Sequence, residues 1–231
     1  MQKILNRIKN YRQAFFKKIN KNYYSQFGED KILAEIIKDN FKKGFYVDVG
    51  CFHPKKHSNT YLLHKKGWNG INIDVEKDKI DVFNLSRKSD HNVLAAVSKN
   101  SKKLTVYKFQ EYGLGTTTNK NLIKNEKDII NSYVINSKTL NEIIENSSYN
   151  NREIDLLNID VEGCDFDVLQ SLNLKKHKPK IIIIESLLTN IIEIINSDMY
   201  LYLISNNYSL RSWNFYSLIF TFKESDIIKY R

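Results

Sequence analysis

Cysteine and proline are scarce in this chain of 231 residues, which contains two residues of each kind. Cys51 and Cys164 are too few for the disulfide framework of a small secreted domain, and their spacing does not match a zinc site. No stretch approaches the roughly 18 apolar residues that span a bilayer. The first residues lack the uninterrupted apolar core of a secretory signal. We therefore expect a reduced, cytoplasmic setting.

Acidic residues are absent from the first 24 residues, which contain seven lysines and arginines. The formal net charge of the whole chain is +10, but the rest of the chain contains 29 basic and 26 acidic residues, or +3. The charge that would suggest nucleic acid or an anionic membrane is therefore concentrated in one short segment. We divide the chain into a basic arm, residues 1–24, and a domain, residues 25–231.

The basic arm has the periodicity of an amphipathic helix. Its large apolar residues recur at spacings of three and four, and they are Ile4, Ile8, Tyr11, Phe15 and Ile19. The first interpretation is a helix that packs on the domain or on a partner subunit, and the oligomeric state is left open. Peripheral contact with an anionic membrane surface is the second interpretation. Nucleic-acid binding is the least favoured of the three.

Short apolar runs alternate with helical patterns from about residue 30 onward. The predicted strands cover residues 45–49, 71–74, 93–97, 104–109, 154–160 and 180–185. The predicted helices cover residues 30–38, 58–66, 139–145 and 165–172. Asp30 is the expected N-cap of the first helix. Residues 199–222 have the pattern of a helix followed by two aromatic-rich strands, and the polar residues 110–128 are expected to form a loop over the site.

This alternation predicts one Rossmann-like α/β domain. Strands that alternate with helices make right-handed crossovers, which give a mostly parallel sheet with helices on both faces. The two C-terminal strands would form a hairpin and add an antiparallel edge to that sheet. No internal repeat or interdomain linker interrupts the pattern.

Four of the predicted strands end in or beside an acidic residue, namely Asp48, Asp74, Asp160 and Glu185. In an open parallel sheet, ligands bind beyond the carboxyl ends of the strands, where the strand order reverses. Carboxylates at this rim must be solvated, paired or used in binding and catalysis. The four acids therefore predict a ligand site along one edge of the sheet.

Asp74 lies 24 residues after Gly50, at the place from which an acid accepts hydrogen bonds from the ribose of a bound nucleoside. The fingerprint G-x-G-x-x-G is missing, so no glycine-rich turn is available for the pyrophosphate of a dinucleotide. S-adenosylmethionine contains no phosphate, and its sulfonium and ammonium groups favour acidic surroundings. The sequence therefore favours S-adenosylmethionine over NAD as the cofactor.

Several short motifs occur in a fixed order along the chain. Residues 47–50 are similar to the first motif of class I methyltransferases, although Phe52 stands where a second glycine is usual. The other motifs are SQFGED at 25–30, SNT at 58–60, GWNG at 67–70, IDVEG at 159–163 and IE at 184–185. Together they resemble the FkbM family of methyltransferases over roughly residues 22–222. That family is associated mainly with O-methylation of sugars and other hydroxylated natural products.

The resemblance implies roles for particular residues. It implies that S-adenosylmethionine is bound by Gln26, Asp48, Gly50, Asn59, Asp74, Ala96 and Asp160. Asp74 would hold the ribose and Ala96 would flank the adenine, while Asp160 and Glu162 would lie beside the transferred methyl group. Asn59 belongs to the SNT segment, whose role is either cofactor binding or capping of the helix that follows, with neither role preferred.

A sugar hydroxyl is a poor nucleophile while it is protonated, so a base or a metal ion must assist methyl transfer. Asp160 or Glu162 is the expected base if no metal takes part. Asp160 and Glu185, at the ends of neighbouring strands, are the alternative ligands for Mg²⁺. His53 is either a solvated loop residue or a residue that faces the acceptor.

These features predict an S-adenosylmethionine-dependent O-methyltransferase that modifies a hydroxyl of a sugar in a glycan or natural product. The alternative is an RNA or protein methyltransferase that docks through the basic arm. The absent glycine fingerprint disfavours a nucleotide-sugar or NAD-dependent enzyme, and the four strand-end acids disfavour a non-catalytic scaffold. Trp68 and Trp213 are expected in the core or at its rim rather than as platforms that stack on sugar rings.

Overall fold

The computed structural model describes residues 5, 23–39, 41, 43–111 and 113–228. The predicted amphipathic helix of the basic arm lies outside these residues except for Leu5, so the interpretations of the arm stay predictions. Within the described residues, no helix is long and apolar enough to cross a lipid bilayer.

Ten strands in the described residues form two sheets. They are β1 Phe45–Val49, β2 Asn69–Asp74, β3 His91–Leu94, β4 Ala96–Val97, β5 Lys103–Lys108, β6 Asn131–Lys138, β7 Leu156–Ile159, β8 Ile181–Glu185, β9 Tyr208–Asn214 and β10 Ser217–Phe222. The larger sheet has the strand order β3-β2-β1-β7-β8-β10-β9, and the smaller has the order β4-β6-β5. The first five strands of the larger sheet are parallel, and β10 is antiparallel to both of its neighbours.

Short helices connect these strands. The α-helices are α1 Glu29–Ile36, α2 Tyr61–Lys65, α3 Lys77–Ser86, α4 Leu140–Glu145, α5 Asp165–Gln170, α6 Leu174–His177, α7 Ile191–Ile195 and α8 Asp198–Ser205. The loop between β5 and β6 contains two 3-10 helices, Lys120–Leu122 and Glu126–Asp128.

Both faces of the central strands are covered, so β1 and β7 are buried along their whole length and do not alternate with exposed residues. The first four residues of β8 are isoleucines, and all four are buried. Ile182 and Ile184 belong to the core that contains buried residues of α4, α5 and α8, whereas Ile181 and Ile183 belong to the core that contains Leu33 of α1. The expected mostly parallel sheet with helices on both faces is confirmed.

The C-terminal hairpin forms the antiparallel edge that the sequence predicts. β10 pairs with β9 from Ser217↔Asn214 to Phe222↔Tyr208. Trp213, near the turn of this hairpin, is 38% exposed, whereas Trp68 is buried in the core between the sheet and α1. Trp213 thus lies at the rim of the core and Trp68 lies inside it.

Residues 93–97, predicted as one strand, belong to two strands in different sheets. β3 pairs with β2, whereas β4 pairs with β6 of the smaller sheet. Between them, the N–H of Ala95 donates to the carbonyl of Asp74 at 3.0 Å, the last contact with the β2 edge. The prediction failed here because the segment is apolar throughout, and apolar periodicity does not reveal a change of pairing partner.

Strand β6 lies outside the predicted strands because its sequence, NSYVINSK, contains few apolar residues and most of its side chains are exposed. Backbone pairing with β5 holds it in place, from Lys103↔Asn136 to Lys108↔Asn131. Helix α3 was likewise not predicted. Only three of its residues, Lys79, Ile80 and Phe83, are buried, so its apolar stripe is narrow.

The prediction that Asp30 is the N-cap of the first helix was wrong. Gly28 occupies the N-cap position, and Asp30 lies in the first turn of α1. The Asp30 carboxylate accepts hydrogen bonds from Tyr24 N and Ser25 Oγ, each at 2.8 Å. Asp30 therefore fixes the segment that precedes the helix rather than capping the helix itself.

The strand order reverses between β1 and β7. From β1 the chain continues to β2 and β3 on one side, and from β7 it continues to β8 on the other side. Because the connections leave in opposite directions, a crevice opens above the carboxyl ends of these two central strands. The fold thus places any ligand site at the ends of β1 and β7.

Candidate active site

A cleft occupies this crevice and contains about 930 Å³ of space not filled by protein atoms, part of it open solvent. Most of the residues predicted from sequence line it, namely Gln26, Asp48, Gly50, Asn59, Asp74, Ala96, Asp160 and Glu162. His53 and Glu185 are not among the lining residues. His57 lines the cleft where His53 does not.

The backbone at Gly50 lets the ends of β1 and β7 approach each other closely. Gly50 has a φ of +79°, and a Cβ at this position would lie 1.7 Å from the carbonyl oxygen of Asp160. Any side chain here would therefore collide with the β7 backbone. Phe52, where glycine was expected, also has a positive φ of 50°, and its N–H donates to Asp74 Oδ2 at 3.1 Å.

Asp48 is buried at the end of β1 and is fully engaged with neighbouring side chains. Its two oxygens accept hydrogen bonds of 2.8 Å from Thr60 Oγ1 and Asn158 Nδ2. Asn158 in turn accepts a hydrogen bond of 2.8 Å from Asn59 Nδ2. Burial raises the pKa of Asp48, and the Arg87 guanidinium opposes this shift. The SNT segment thus contacts the first motif through side chains.

Arg87, at the end of α3, contacts β1 and the loop that follows it. This residue was not identified from sequence. Its guanidinium is buried and donates to Thr60 Oγ1 at 2.8 Å and to Tyr46 Oη at 3.0 Å. It also donates to Ser58 Oγ at 3.0 Å and to the carbonyl of Pro54 at 2.5 Å. A guanidinium needs several acceptors when it is buried, and the loop after β1 supplies them.

Asp74, at the end of β2, faces the cleft while its carboxylate is held by the backbone. It accepts hydrogen bonds from Glu76 N at 2.9 Å and Phe52 N at 3.1 Å, and Lys79 Nζ lies 3.8 Å away. Burial raises the pKa of Asp74, and Lys79 opposes this shift. An ionised carboxylate has about four acceptor positions, so capacity remains for hydroxyl donors of a ligand.

Glu76 links the cleft to the loop and the smaller sheet, and it was also missed from sequence. Its carboxylate pairs with Lys79 Nζ at 2.7 Å and Lys108 Nζ at 2.9 Å, and it accepts a hydrogen bond of 2.8 Å from Thr116 Oγ1. Burial acts to raise the pKa of Glu76, but the hydrogen bonds from Lys108 and Lys79 outweigh it and lower the pKa.

The polar loop predicted to lie over the site does so. We call residues 113–119 the covering loop, and five of them, residues 114–118, line the cleft. Glu162 Oε1 accepts a hydrogen bond of 3.1 Å from Gly115 N, and the carbonyl of Glu162 accepts one of 2.8 Å from Thr117 Oγ1. Asn119 Nδ2 donates to the carbonyl of Gly163 at 3.0 Å. The Glu162 carboxylate and the carbonyls of Glu162 and Gly163 therefore hold the covering loop in place.

Acidic side chains converge at the β7 end of the cleft. The Asp160 carboxylate is open to the cleft, although protein atoms surround it on the remaining sides. This surrounding protein raises the pKa of Asp160 well above its usual range, and the charges of Asp165 and Glu162 raise it further. Burial, followed by the charge of Asp160, raises the pKa of Glu185 to about 9. A carboxylate with a raised pKa is a stronger base when it is ionised.

One carboxylate oxygen of this group has no partner. Glu185 Oε2 is buried and has no hydrogen-bond partner among the described residues. No three His, Cys, Asp or Glu side chains in the described part of the chain are arranged to bind a metal ion. The Mg²⁺ site at Asp160 and Glu185 therefore stays a prediction.

His53 lies on the loop after Gly50 and caps a turn. Its Nδ1 accepts hydrogen bonds from Lys55 N and Lys56 N, both at 3.0 Å. Partial burial lowers the pKa of His53, and the neighbouring Lys56 lowers it further. Because Nδ1 already accepts these backbone hydrogen bonds, His53 could contact the methyl acceptor only through Nε2.

No curated protein and no solved structure is similar enough to be counted as a match. Residues 48–210 match the family model of the methyltransferase FkbM domain, which covers more than half of the chain. The matched region includes all four strand-end acids and the covering loop. The chain is therefore a methyltransferase with a class I methyltransferase-like fold, and it belongs to the FkbM family.

Proposed function

We propose that this methyltransferase uses S-adenosylmethionine to methylate a hydroxyl group of a neutral sugar in a glycan or natural product. The observation that carries the proposal is the arrangement of acids in one cleft at the switch point. Asp74 and Asp48 line the cleft from the ends of β2 and β1, and Asp160 is open to it from the end of β7.

The residues of the cleft fit the chemistry of this cofactor. When bound, S-adenosylmethionine supplies an electrophilic methyl group on a positively charged sulfur. Asp74 offers acceptors for ribose hydroxyls, and the apolar residues 95–97 lie next to it for an adenine ring. Asp48 and Asp160 provide negative charge for the ammonium and sulfonium groups. Gly50 presents bare backbone to the cleft between these ends, so a ligand can approach it closely.

Asp160 is the favoured base. Its carboxylate faces the cleft and has a raised pKa, which suits removal of a proton from a hydroxyl as the oxygen attacks the methyl group. Glu162, the other candidate, already accepts a hydrogen bond from the covering loop. A divalent cation held by Asp160 and Glu185 is the second way to activate the hydroxyl. The two schemes differ in their response to a chelator.

The charge near Asp160 favours a neutral acceptor over RNA. Asp48, Asp160 and Glu162 line this end of the cleft, so acidic side chains predominate there. A phosphodiester would be repelled there. The alternative of RNA or protein methylation depends on the basic arm, as does peripheral contact with an anionic membrane. Both remain predictions for residues 1–24.

Calorimetry followed by an acceptor assay tests the proposal. We expect S-adenosylhomocysteine, the demethylated product, to bind and NAD to give no heat. Asp74→Ala should weaken the binding by about 1–3 kcal/mol because charge-assisted hydrogen bonds are lost. Asp78→Ala, an exposed acid in the first turn of α3, is the matched control. Mass spectrometry should then find label from S-adenosylmethionine on activated-sugar or capsule-type glycan acceptors. Binding of NAD in place of S-adenosylhomocysteine would overturn the proposal.

A further inference from the structure

The turn of the C-terminal hairpin projects past the same edge of the sheet at which the cleft opens. Ser217 of β10 pairs with Glu185, the last residue of β8, and with Asn214 of β9. Because β10 is antiparallel to β8, Phe215 and Tyr216 lie beyond the carboxyl end of β8. The N–H of Ser186 donates to the carbonyl of Tyr216 at 2.7 Å, which holds the turn against this end.

Hydrogen bonds hold the turn to the segment that enters α1. Asn214 Nδ2 donates to the carbonyl of Phe27 at 3.0 Å, and Ser217 Oγ donates to Glu29 Oε1 at 3.0 Å. The preceding residue, Gln26, lines the cleft, and the charge of the buried Glu29 contributes to the raised pKa of Asp160. The turn therefore lies beside the segment that contributes Gln26 to the cleft.

Three aromatic rings meet where the turn contacts this segment. The rings of Phe27 and Phe215 are stacked with centroids 4.6 Å apart and an interplanar angle of 21°. The Tyr216 ring lies edge-on to Phe27 at 6.1 Å. Phe215 is 67% exposed and has a φ of 52°, a backbone conformation that glycine or asparagine adopts more easily. An exposed aromatic ring on a strained backbone is unfavourable for the free protein and points to a binding role.

We propose that Phe27, Phe215 and Tyr216 form an acceptor platform that stacks against the apolar face of a neutral sugar ring. This inference rests on the proposed function and names the surface that selects the acceptor. A sugar ring has C–H groups on one face, which contact the negative face of an aromatic ring favourably. Its hydroxyls can donate to Asp160, which is open to the neighbouring cleft.

The surroundings favour a sugar over the other possible occupants. An anionic lipid surface or a phosphorylated acceptor would meet the acids that line the neighbouring cleft, Asp160 and Glu162. A ligand pocket combines apolar contact area with a few polar groups that fix orientation, and the platform with these acids has that composition. An uncharged sugar ring can contact the apolar platform with its C–H groups and donate hydrogen bonds to the acids with its hydroxyls.

The test uses variants that keep the turn folded. Phe215→Asn and Phe215→Gly remove the ring but suit the positive φ, and Phe215→Tyr retains a ring. Leu201→Ala, at an exposed residue of α8 outside the turn, is the matched control. Each variant is first titrated with S-adenosylhomocysteine, and all are expected to bind it as the wild type does.

The probes are the methyl glycosides of glucose, galactose, mannose and rhamnose, measured by saturation-transfer NMR on protein loaded with S-adenosylhomocysteine. We expect at least one glycoside to bind the wild type. Phe215→Asn and Phe215→Gly should bind it about tenfold more weakly, whereas Phe215→Tyr and Leu201→Ala should not change. Absence of binding for all four glycosides, or equal binding by the wild type and Phe215→Gly, overturns the platform.

Two further outcomes separate the alternatives. If the wild type does not bind S-adenosylhomocysteine, the proposed function itself fails. If Phe215→Gly instead loses sedimentation with phosphatidylglycerol vesicles while glycoside binding is unchanged, the rings contact a membrane and the platform is rejected.

Discussion

The hydroxyl of Thr60 donates a hydrogen bond of 2.8 Å to Asp48 and accepts one of 2.8 Å from Arg87. Through this relay a buried cation supports a buried carboxylate that it does not touch directly. Arg87 also donates to Tyr46 Oη, which in turn donates to the buried Asp90 carboxylate. The Arg87 guanidinium thus compensates the negative charges of both Asp48 and Asp90.

Removal of Arg87 should destabilise the whole domain. In Arg87→Met the side-chain volume is similar, but the carboxylates of Asp48 and Asp90 lose their compensating charge. We expect the free energy of unfolding in urea to fall by about 3 kcal/mol, as for other buried ion pairs that lose one partner. Arg152→Met, at an exposed arginine, should change it by less than about 1 kcal/mol. Equal effects of the two variants would show that the relay does not matter for stability.

Asp160→Asn should separate chemistry from folding. The amide keeps the size of the side chain but cannot accept the proton of the acceptor hydroxyl. We expect S-adenosylhomocysteine binding and melting temperature near those of the wild type, with turnover reduced at least about a hundredfold. A chelator that silences the wild type, with recovery in Mg²⁺, would assign Asp160 and Glu185 to a metal. A variant that turns over normally removes Asp160 from the catalytic residues.

The strand-end acids could be predicted because each follows an apolar run in the sequence. β1, β7 and β8 are buried on both faces, so the first acidic residue in each segment marks the end of the strand. Gly50 directly follows β1. Residues 48, 74 and 160 were therefore placed in one cleft from the sequence alone. The C-terminal hairpin was predicted for the same reason, since its strands are rich in large apolar residues.

Arg87 and Glu76 could not be predicted because their roles depend on tertiary contacts. The partners of Arg87 come from β1 and from the loop between β1 and α2, and no spacing in the sequence connects them. Strand β6 was missed for a related reason, since it forms by pairing with β5 rather than by burial. The platform was missed because only the structure brings residue 27 next to residue 215.

The raised pKa of Glu185 predicts that stability falls as pH rises. The folded protein binds this proton more tightly than the unfolded chain, in which the pKa of the carboxyl is about 4.3. The stabilising contribution of the bound proton is therefore lost as pH rises through the folded value of about 9.

Glu185→Gln tests this directly, because the amide stays neutral at every pH. Between pH 7.5 and 9 in the presence of a chelator, the free energy of unfolding should fall less in Glu185→Gln than in the wild type. Glu193→Gln, at an exposed residue of α7, should follow the wild type. Identical pH dependence in all three proteins would contradict the raised pKa.

The close approach at Gly50 can be tested against a second glycine. Gly28 has a similar φ of +94°, but a Cβ there would meet no atom within 4 Å. Gly28→Ala therefore measures backbone strain alone, expected to lower stability by about 1 kcal/mol. Gly50→Ala adds the collision with the Asp160 carbonyl, and we expect a loss of about 3 kcal/mol or more. Similar melting temperatures for the two variants would mean that the ends of β1 and β7 can move apart without loss of stability.

The Glu162 carboxylate contacts the covering loop at Gly115. If it holds the loop, Glu162→Ala should speed dissociation of S-adenosylhomocysteine about tenfold or more, because a hydrogen bond to a charged group is lost. Hydrogen exchange at Gly115 should accelerate in parallel, since its N–H loses its acceptor. Glu126→Ala, in an exposed 3-10 helix that follows the covering loop in the chain, should leave both rates unchanged. If Glu162→Ala abolishes turnover without changing dissociation or exchange, Glu162 acts as the base and the assignment to Asp160 must be reversed.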